Sequence, residues 1–302
     1  MTILASGTAA PSPAPSEPAF GALLRGWREQ RHITQLELAL RAGSSARHVS
    51  FVETGRSRPS EEMVLRLAEH LEVPVRERNA LLLAAGYAPH YPETPLDDPS
   101  MEALREGVER LIHAYEPYPA LVVDARYDVV AANRGITMLL EGVPERLLAP
   151  PLNAMRLTLH PEGLAPRIRN LREWRDHLLT QMGRQIALRR SEVLRALYDE
   201  VAAYPVPDRI GSEPAGPVAH FALPMRIEHD GRVLSFISSI STFNTPMDVT
   251  VAELAVETFL PADPATAKYL QKHGELRWRQ SFPVVPMRRT SERATLLAYR
   301  DA

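Results

Sequence analysis

From Thr34 onward the chain places apolar residues at helical intervals, Leu36, Ala39 and Leu40, and after Gly43 it resumes with Val49 and Val52. Spacings of three and four predict two short helices, each with one inward stripe, joined by a glycine-containing turn. The polar residues mark the ends. Thr34 is placed to cap the first helix, with Glu37 three residues on to close a capping box. Gly43 supplies the left-handed turn, and Ser45 caps the second helix. On that second helix Ala46, Arg47, Ser50 and Phe51 fall outward, and a merely solvated helix rarely exposes a phenylalanine. Downstream, Ser60 heads EEMVLRLAEHL, Pro74 heads VRERNALLLAAG, and Gly86 ends it.

The pattern then changes. Residues 88–100 pack four prolines into thirteen positions, which predicts a semi-rigid linker. A helix over MEALREGVERLIHAYE follows, with Leu104, Val108, Leu111 and Ile112 on one face. ALVVDARYDVVAANRG reads as two β-branched runs around a turn at Asp124 to Asp128, followed by a helix over ITMLLEG. Residues 167–183 form an amphipathic helix with Ile168, Leu171, Leu178 and Met182 inward, and SEVLRALYDEVAAY forms another. VAHFALPMRIE and RVLSFISSISTFN flank an Asp230-Gly231 pair, the signal of a hairpin. The fold predicted is multidomain, an all-α helix-turn-helix domain followed by an α+β domain with a small antiparallel sheet. The divisions are a disordered Pro/Ala tail at 1–19, the helical domain at 20–87, the linker at 88–100, the α+β domain at 101–272 and an unassigned extension at 273–302.

Charge sharpens the first domain. Residues 20–60 hold seven arginines and three glutamates, a local charge of +4 in a chain whose net charge is −2. A positive field of that kind is what phosphate contact requires, and it makes affinity fall with salt. Arg47 stands where a recognition helix meets the major groove, and arginine is the commonest bidentate partner of guanine. Other chemistry is excluded by absence. Ten histidines form no H-E-x-x-H pair, and no G-x-S-x-G elbow, Walker loop or G-x-G-x-x-G is present, so the chain reads as no enzyme. Ser238, Ser239 and Ser241 lack an adjacent base and read as polar strand positions. Asp124, Asp128, His160 and His229 lack ligand spacing, so neither a metal nor a required cofactor is expected. Zero cysteine fits a reducing cytoplasm. No stretch reaches the ~18 apolar residues of a membrane span, and the N-terminus lacks the pattern of a secretory signal.

TQLELA at 34–39, AGSS at 42–45, VSFVETGRSRPS at 49–60 and LRLAEHLEV at 65–73 resemble the Cro/repressor-type helix-turn-helix family. The resemblance implies that Gln35 touches phosphate and that Ala46, Arg47, His48 and Phe51 meet bases. With Ser45, Ser50 and Arg56 these make the DNA-binding set, on double-stranded DNA. It also implies a structural pair between Arg28 and Glu53.

A second resemblance spans residues 20 to about 271. RERNALLLAAGYAPHY at 76–91, PYPALVVDARYDVVAANRG at 117–135, HPEGLAPRIRN at 160–170 and STFNTPMDVTVAELAVETFLPADPAT at 241–266 are similar to MmyB-like regulators. Those join this DNA reader to a PAS-like ligand-binding domain. The chain departs from the family pattern at Leu171, where a tryptophan often follows the asparagine, and at Asn244, where many members carry glycine. The resemblance implies a sensor for a long-chain fatty acid or similar lipid, the bound lipid being the only small molecule expected. Such a ligand needs an apolar tunnel and one or two polar groups. Arg134, Asn170 and Arg175 are the candidates for its head, although an arginine at the edge of an apolar stripe ordinarily snorkels to water. Val122, Val130, Leu139, Leu178, Phe236, Ile240 and Phe243 are the candidate walls. One recognition helix reads few base pairs, so a homodimer is expected. Two other readings of the second domain stay open: a ligand-free dimerisation or protein-interaction scaffold, and a haem or flavin sensor.

Overall fold

The computed structural model describes residues 19–189, 191–206 and 222–277. The expected tail, the first residues of the VAHFALP strand and the chain after residue 277 lie outside them. The chain divides into two compact units between Tyr91 and Pro92.

The first unit is five helices: α1 (Phe20–Gln30), α2 (Gln35–Arg41), α3 (Ala46–Glu53), α4 (Glu61–His70) and α5 (Val75–Ala84). Side-chain caps start three of them. Thr34 Oγ1 accepts from the Glu37 amide, Ser45 Oγ from His48 and Ser60 Oγ from Met63, at 3.1, 3.2 and 3.3 Å. The capping box is only half made, because the Glu37 carboxylate accepts from Arg41 one turn further on instead. Gly43 takes φ +61° at the turn. Gly21 lets α1 close on the end of α3, since a Cβ there would stand 2.3 Å from the Glu53 carbonyl oxygen.

One expectation for α2 is corrected. Its buried residues are Leu38 and Ala39, while Leu36 and Leu40 are 60% and 72% exposed. Both phases satisfy helical spacing. The inward one is set by the Gly43 turn, which brings α3 against Ala39 and Ala42, residues of the same core as Val49 and Val52.

The proline-rich stretch belongs partly to each unit. Asn79 Oδ1 accepts from the amides of His90 and Tyr91, both at 3.0 Å, which ties that end to α5. Beyond it, the Thr94 amide donates to Asp248 at 3.0 Å and Arg105 donates to the Asp98 carbonyl at 2.9 Å. Both of those partners are in the second unit, so proline here stiffens anchored chain rather than a free tether.

In the second unit α6 (Glu102–Ala114) precedes β1 (Ala120–Val123) and β2 (Val129–Ala132). Short helices follow, α7 (Arg134–Leu139), α8 (Glu145–Leu148) and α9 (Ala154–Leu159), then the longer α10 (Leu171–Arg189) and α11 (Glu192–Ala202). The remaining described elements are β3 (Met225–His229), β4 (Arg232–Thr242), α12 (Val249–Glu253), β5 (Ala255–Pro261) and α13 (Pro264–Arg277). All pairings are antiparallel, in the order β2-β1-β5-β4-β3.

The helix expected from residue 167 begins at Leu171. Pro166 sits in a 3-10 turn, and Ile168 makes a lone bridge to Ile227 on β3. β5, the middle strand, was not among the strands expected from apolar alternation. Glu257 and Thr258 interrupt the apolar run that marks a buried strand.

The sheet meets an apolar core on each face. Val108 and Ile112 of α6 pack with Ala120, Val122 and Val256 on one side. On the other, Leu121, Val123, Phe236 and Phe259 join Leu178, Met182 and Ile186 of α10 in the larger core. Asn133 stays buried between β2 and α7 because it is satisfied on both ends. Its Oδ1 accepts from the Ala120 amide at 3.0 Å, and its Nδ2 donates to the carbonyls of Ile112 and Tyr118 at 3.0 and 2.9 Å.

Candidate nucleic-acid interface and ligand site

The outward side of α3 begins at its own cap. Ser45 is occupied by the His48 amide. Ala46 packs partly against the core, Arg47 is exposed, and His48, Ser50 and Phe51 are half-buried. Phe51 explains its own position: the Arg47 guanidinium carbon lies 5.2 Å from its ring centre and that of Arg56 5.9 Å. Two cations held against one ring lose rotamer freedom before any ligand arrives, and each gains from the ring's electron-rich face. Arg56 is carried there by the turn after α3, where its amide donates to the Phe51 carbonyl at 2.8 Å.

Behind this surface lies a buried lock. Arg28 reaches Glu53 with a two-point fork, Nε to Oε1 at 2.6 Å and Nη2 to Oε2 at 3.0 Å, while Nη1 holds the Ile33 carbonyl at 3.0 Å. Gln35 Nε2 donates to Glu53 Oε2 at 2.8 Å, and Arg25 stands 3.6 Å from the same oxygen. The Glu53 side chain is fully buried. Burial alone would push its carboxyl up. The hydrogen bonds from Arg28 and Gln35 and the charges of Arg28 and Arg25 outweigh that and hold it below the ordinary carboxylate range. Glu53 thus ties α1, the start of α2 and the end of α3 together. It also aims Gln35, at the first position of α2, from below.

The residues proposed for the ligand separate on inspection. Asn170 is fully used, donating to the Pro224 carbonyl at 2.8 Å and accepting from the Arg226 amide at 2.9 Å. Arg175 Nη2 donates to the Ala202 carbonyl, so it closes α10 onto the end of α11. Arg134 opens α7, 4.0 Å from the Glu116 carboxylate. The candidate walls do not form one tunnel. Val122, Val130 and Phe243 belong to the core beneath α6, and Leu139, Leu178 and Phe236 to the core on the opposite face. Ile240 is 60% exposed. Period-2 alternation marks faces within a strand, but it cannot say which faces of two strands meet.

Sequence reasoning missed a polar group on the larger core's side of the sheet. Glu257 of β5 accepts from Ser238 Oγ of β4 at 2.5 Å. Burial pushes the Glu257 carboxyl up, opposed by that single hydrogen bond. The Tyr127 phenol, on the β1–β2 turn, is pushed up to about 12 by burial and by the neighbouring Glu257, with Arg189 acting the other way. Arg189 continues the inward stripe of α10 three residues past Ile186 and faces Glu253 at 3.9 Å. The available signal was Glu257 itself, a lone charge inside an apolar run.

Comparison with known families agrees with this division. A model of the MmyB-like transcription regulator ligand binding domain matches residues 104–272, more than half of the chain, and a helix-turn-helix model matches residues 24–78. No curated protein matches the sequence. Both families are regulatory, one DNA-binding and one ligand-binding. Among the described residues no helix is long and apolar enough to cross a membrane, and no group of three or more His, Cys, Asp or Glu is placed to hold a metal. With its DNA-reading unit first and its ligand-binding unit second, the chain belongs to the family of MmyB-like transcription regulators.

Proposed function

We propose that this DNA-binding regulator reads its operator as a homodimer, through Arg47, Phe51 and Arg56, and that a PAS-like second unit adjusts that binding in response to a long-chain fatty acid or similar lipid. The observation that carries the DNA half is the pair of guanidinium groups held on Phe51 at the outward face of a capped helix. A helix so armed meets base edges with Arg47, while Gln35 and the amides at the start of α2 meet phosphate. Two such helices related by a two-fold axis would read half-sites about one helical turn apart.

The ligand half rests on the family and on an apolar interior with few polar groups. α7, α9, α10 and α11 share one core with the sheet, with Leu164, Leu171 and Trp174 in it. The antiparallel order β2-β1-β5-β4-β3 supports the PAS-like reading. A ligand alters DNA affinity only through different affinities for two arrangements of the paired chains. Native mass spectrometry of the purified full chain tests the reading. A retained lipid supports it, an empty dimer favours a scaffold, and a coloured prosthetic group favours a cofactor sensor.

A further inference from the structure

We propose that Arg25 is a further DNA contact of this regulator, a residue of α1 that grips backbone phosphate beside Gln35 and reads no base. The assignment rests on the DNA-binding reading of the first unit and adds a residue to it.

The arginines of the first unit differ in what they do with their donors. Arg28 spends its fork on Glu53 and the Ile33 carbonyl, Arg31 on the carbonyls of Leu71 and Glu72, and Arg58 on those of Ala85 and Gly86. Arg41 and Arg66 reach carboxylates one turn back, on Glu37 and Glu62. Arg78 takes the Val73 carbonyl and the Tyr91 hydroxyl. Among the described residues the guanidinium groups of Arg25, Arg47 and Arg56 donate no hydrogen bond. Arg47 and Arg56 are seated on Phe51, and Arg25 is seated elsewhere.

Glu53 explains why Arg25 stays uncommitted. Both oxygens of that buried carboxylate are taken, Oε1 by Arg28 and Oε2 by Arg28 and Gln35. Arg25 Nε therefore stops 3.6 Å from Oε2, held by charge rather than by a hydrogen bond, with its side chain 47% exposed. A planar, permanently charged group with free donors matches an anion with several oxygens, as a phosphate diester is. Base edges are the province of the helix that enters the groove, which is α3, whereas Arg25 stands on α1.

The surroundings place that phosphate on DNA. Arg25 and Gln35 converge on one oxygen of Glu53, so both emerge at the same edge of the unit. Arg25 also borders a cleft of about 350 Å³ between α1 and the turn after α3, where Gly21, Ala22, Gly26, Thr54 and Gly55 leave room for a strand to approach. The next residue of that turn is Arg56, which lies on Phe51. The exposed acid on the lining, Glu29, stands 3.8 Å from Arg28 and is offset by it.

The test is a salt series of anisotropy titrations with the full chain, on a duplex selected from a random pool and on a random duplex. Each phosphate neutralised contributes about 0.9 to the slope of log affinity against log salt. Arg25→Gln should lower that slope by about one on both duplexes and weaken both about fivefold near physiological salt, while Arg25→Lys keeps the slope. Arg31→Gln, which removes a side chain already spent on carbonyls, should leave the slope unchanged. A role confined to steadying Glu53 would weaken binding without moving the slope, and that result overturns the assignment. So does an unchanged affinity, the mark of a solvated arginine, or a loss on the selected duplex alone, the mark of a base reader. A parent chain that binds neither duplex would instead sink the DNA-binding reading, and the assignment with it.

Discussion

Arg47 and Phe51 stand one turn apart on α3, with the guanidinium carbon 5.2 Å from the ring centre. The aromatic side chain is thus a platform for the cation that reads, and it is shared with Arg56. Arg47→Ala should weaken operator binding by about 1 to 3 kcal/mol while leaving a random duplex almost unaffected, because base contacts specify. Gln35→Ala should weaken both duplexes alike. Parallel anisotropy titrations on the two duplexes check this, and an equal loss for Arg47→Ala would remove its base-reading role.

The Arg28–Glu53 fork predicts a different loss. Arg28→Ala leaves a fully buried carboxylate with Gln35 and a more distant Arg25, and should cost the first unit about 3 to 5 kcal/mol. Chemical denaturation of residues 1–91 measures it. The same carboxylate gives a pH dependence with a definite sign. Its folded value lies below its ordinary one, so its contribution is complete above the ordinary carboxylate range and is lost as pH falls through the lowered value. Acidification should therefore destabilise the parent more than Glu53→Gln, which has no proton to take up there.

Two glycines in helices should respond oppositely to alanine. At Gly21 a methyl group would stand 2.3 Å from the Glu53 carbonyl oxygen and 2.8 Å from that of Val52, both backbone, so Gly21→Ala should cost about 1 to 3 kcal/mol. At Gly183, inside α10, nothing lies within 4 Å, and Gly183→Ala should stabilise by about 0.5 to 1 kcal/mol. Thermal melts of the two variants decide between crowding and helix propensity as the controlling factor.

Asn170 and Arg175 should behave as structural residues. Asn170→Ala abandons the Pro224 carbonyl and the Arg226 amide, and should lower the stability of the second unit by about 1 to 3 kcal/mol. Arg175→Ala should shift stability while changing acid and alcohol affinities equally, since its guanidinium is engaged by the end of α11. A selective loss of acid binding would restore Arg175 as a carboxylate anchor.

The parts of the molecule with local causes were legible in the sequence. The Thr34, Ser45 and Ser60 caps, the Gly43 and Gly86 turns and the β1 and β2 runs need only their own neighbours to form. The Arg28–Glu53 pair came from family resemblance, and its third partner, Gln35, did not. What escaped was set by long-range pairing. Whether α2 turns Leu38 or Leu40 inward depends on α3, and whether Val122 and Leu178 meet depends on which face of the sheet α10 covers. β5 was missed because its Glu257 and Thr258 break the apolar pattern.

The central claim is that a lipid in the second unit changes how the first unit holds DNA. The most direct measurement is the affinity of the full chain for a duplex selected from a random pool, taken by anisotropy with and without saturating dodecanoate at one salt concentration. The account predicts a two-half-site consensus and a change of at least about fivefold on adding the lipid, the low end of ordinary coupling between sites. A consensus bound with the same affinity under both conditions, while calorimetry shows dodecanoate on the protein, would contradict it.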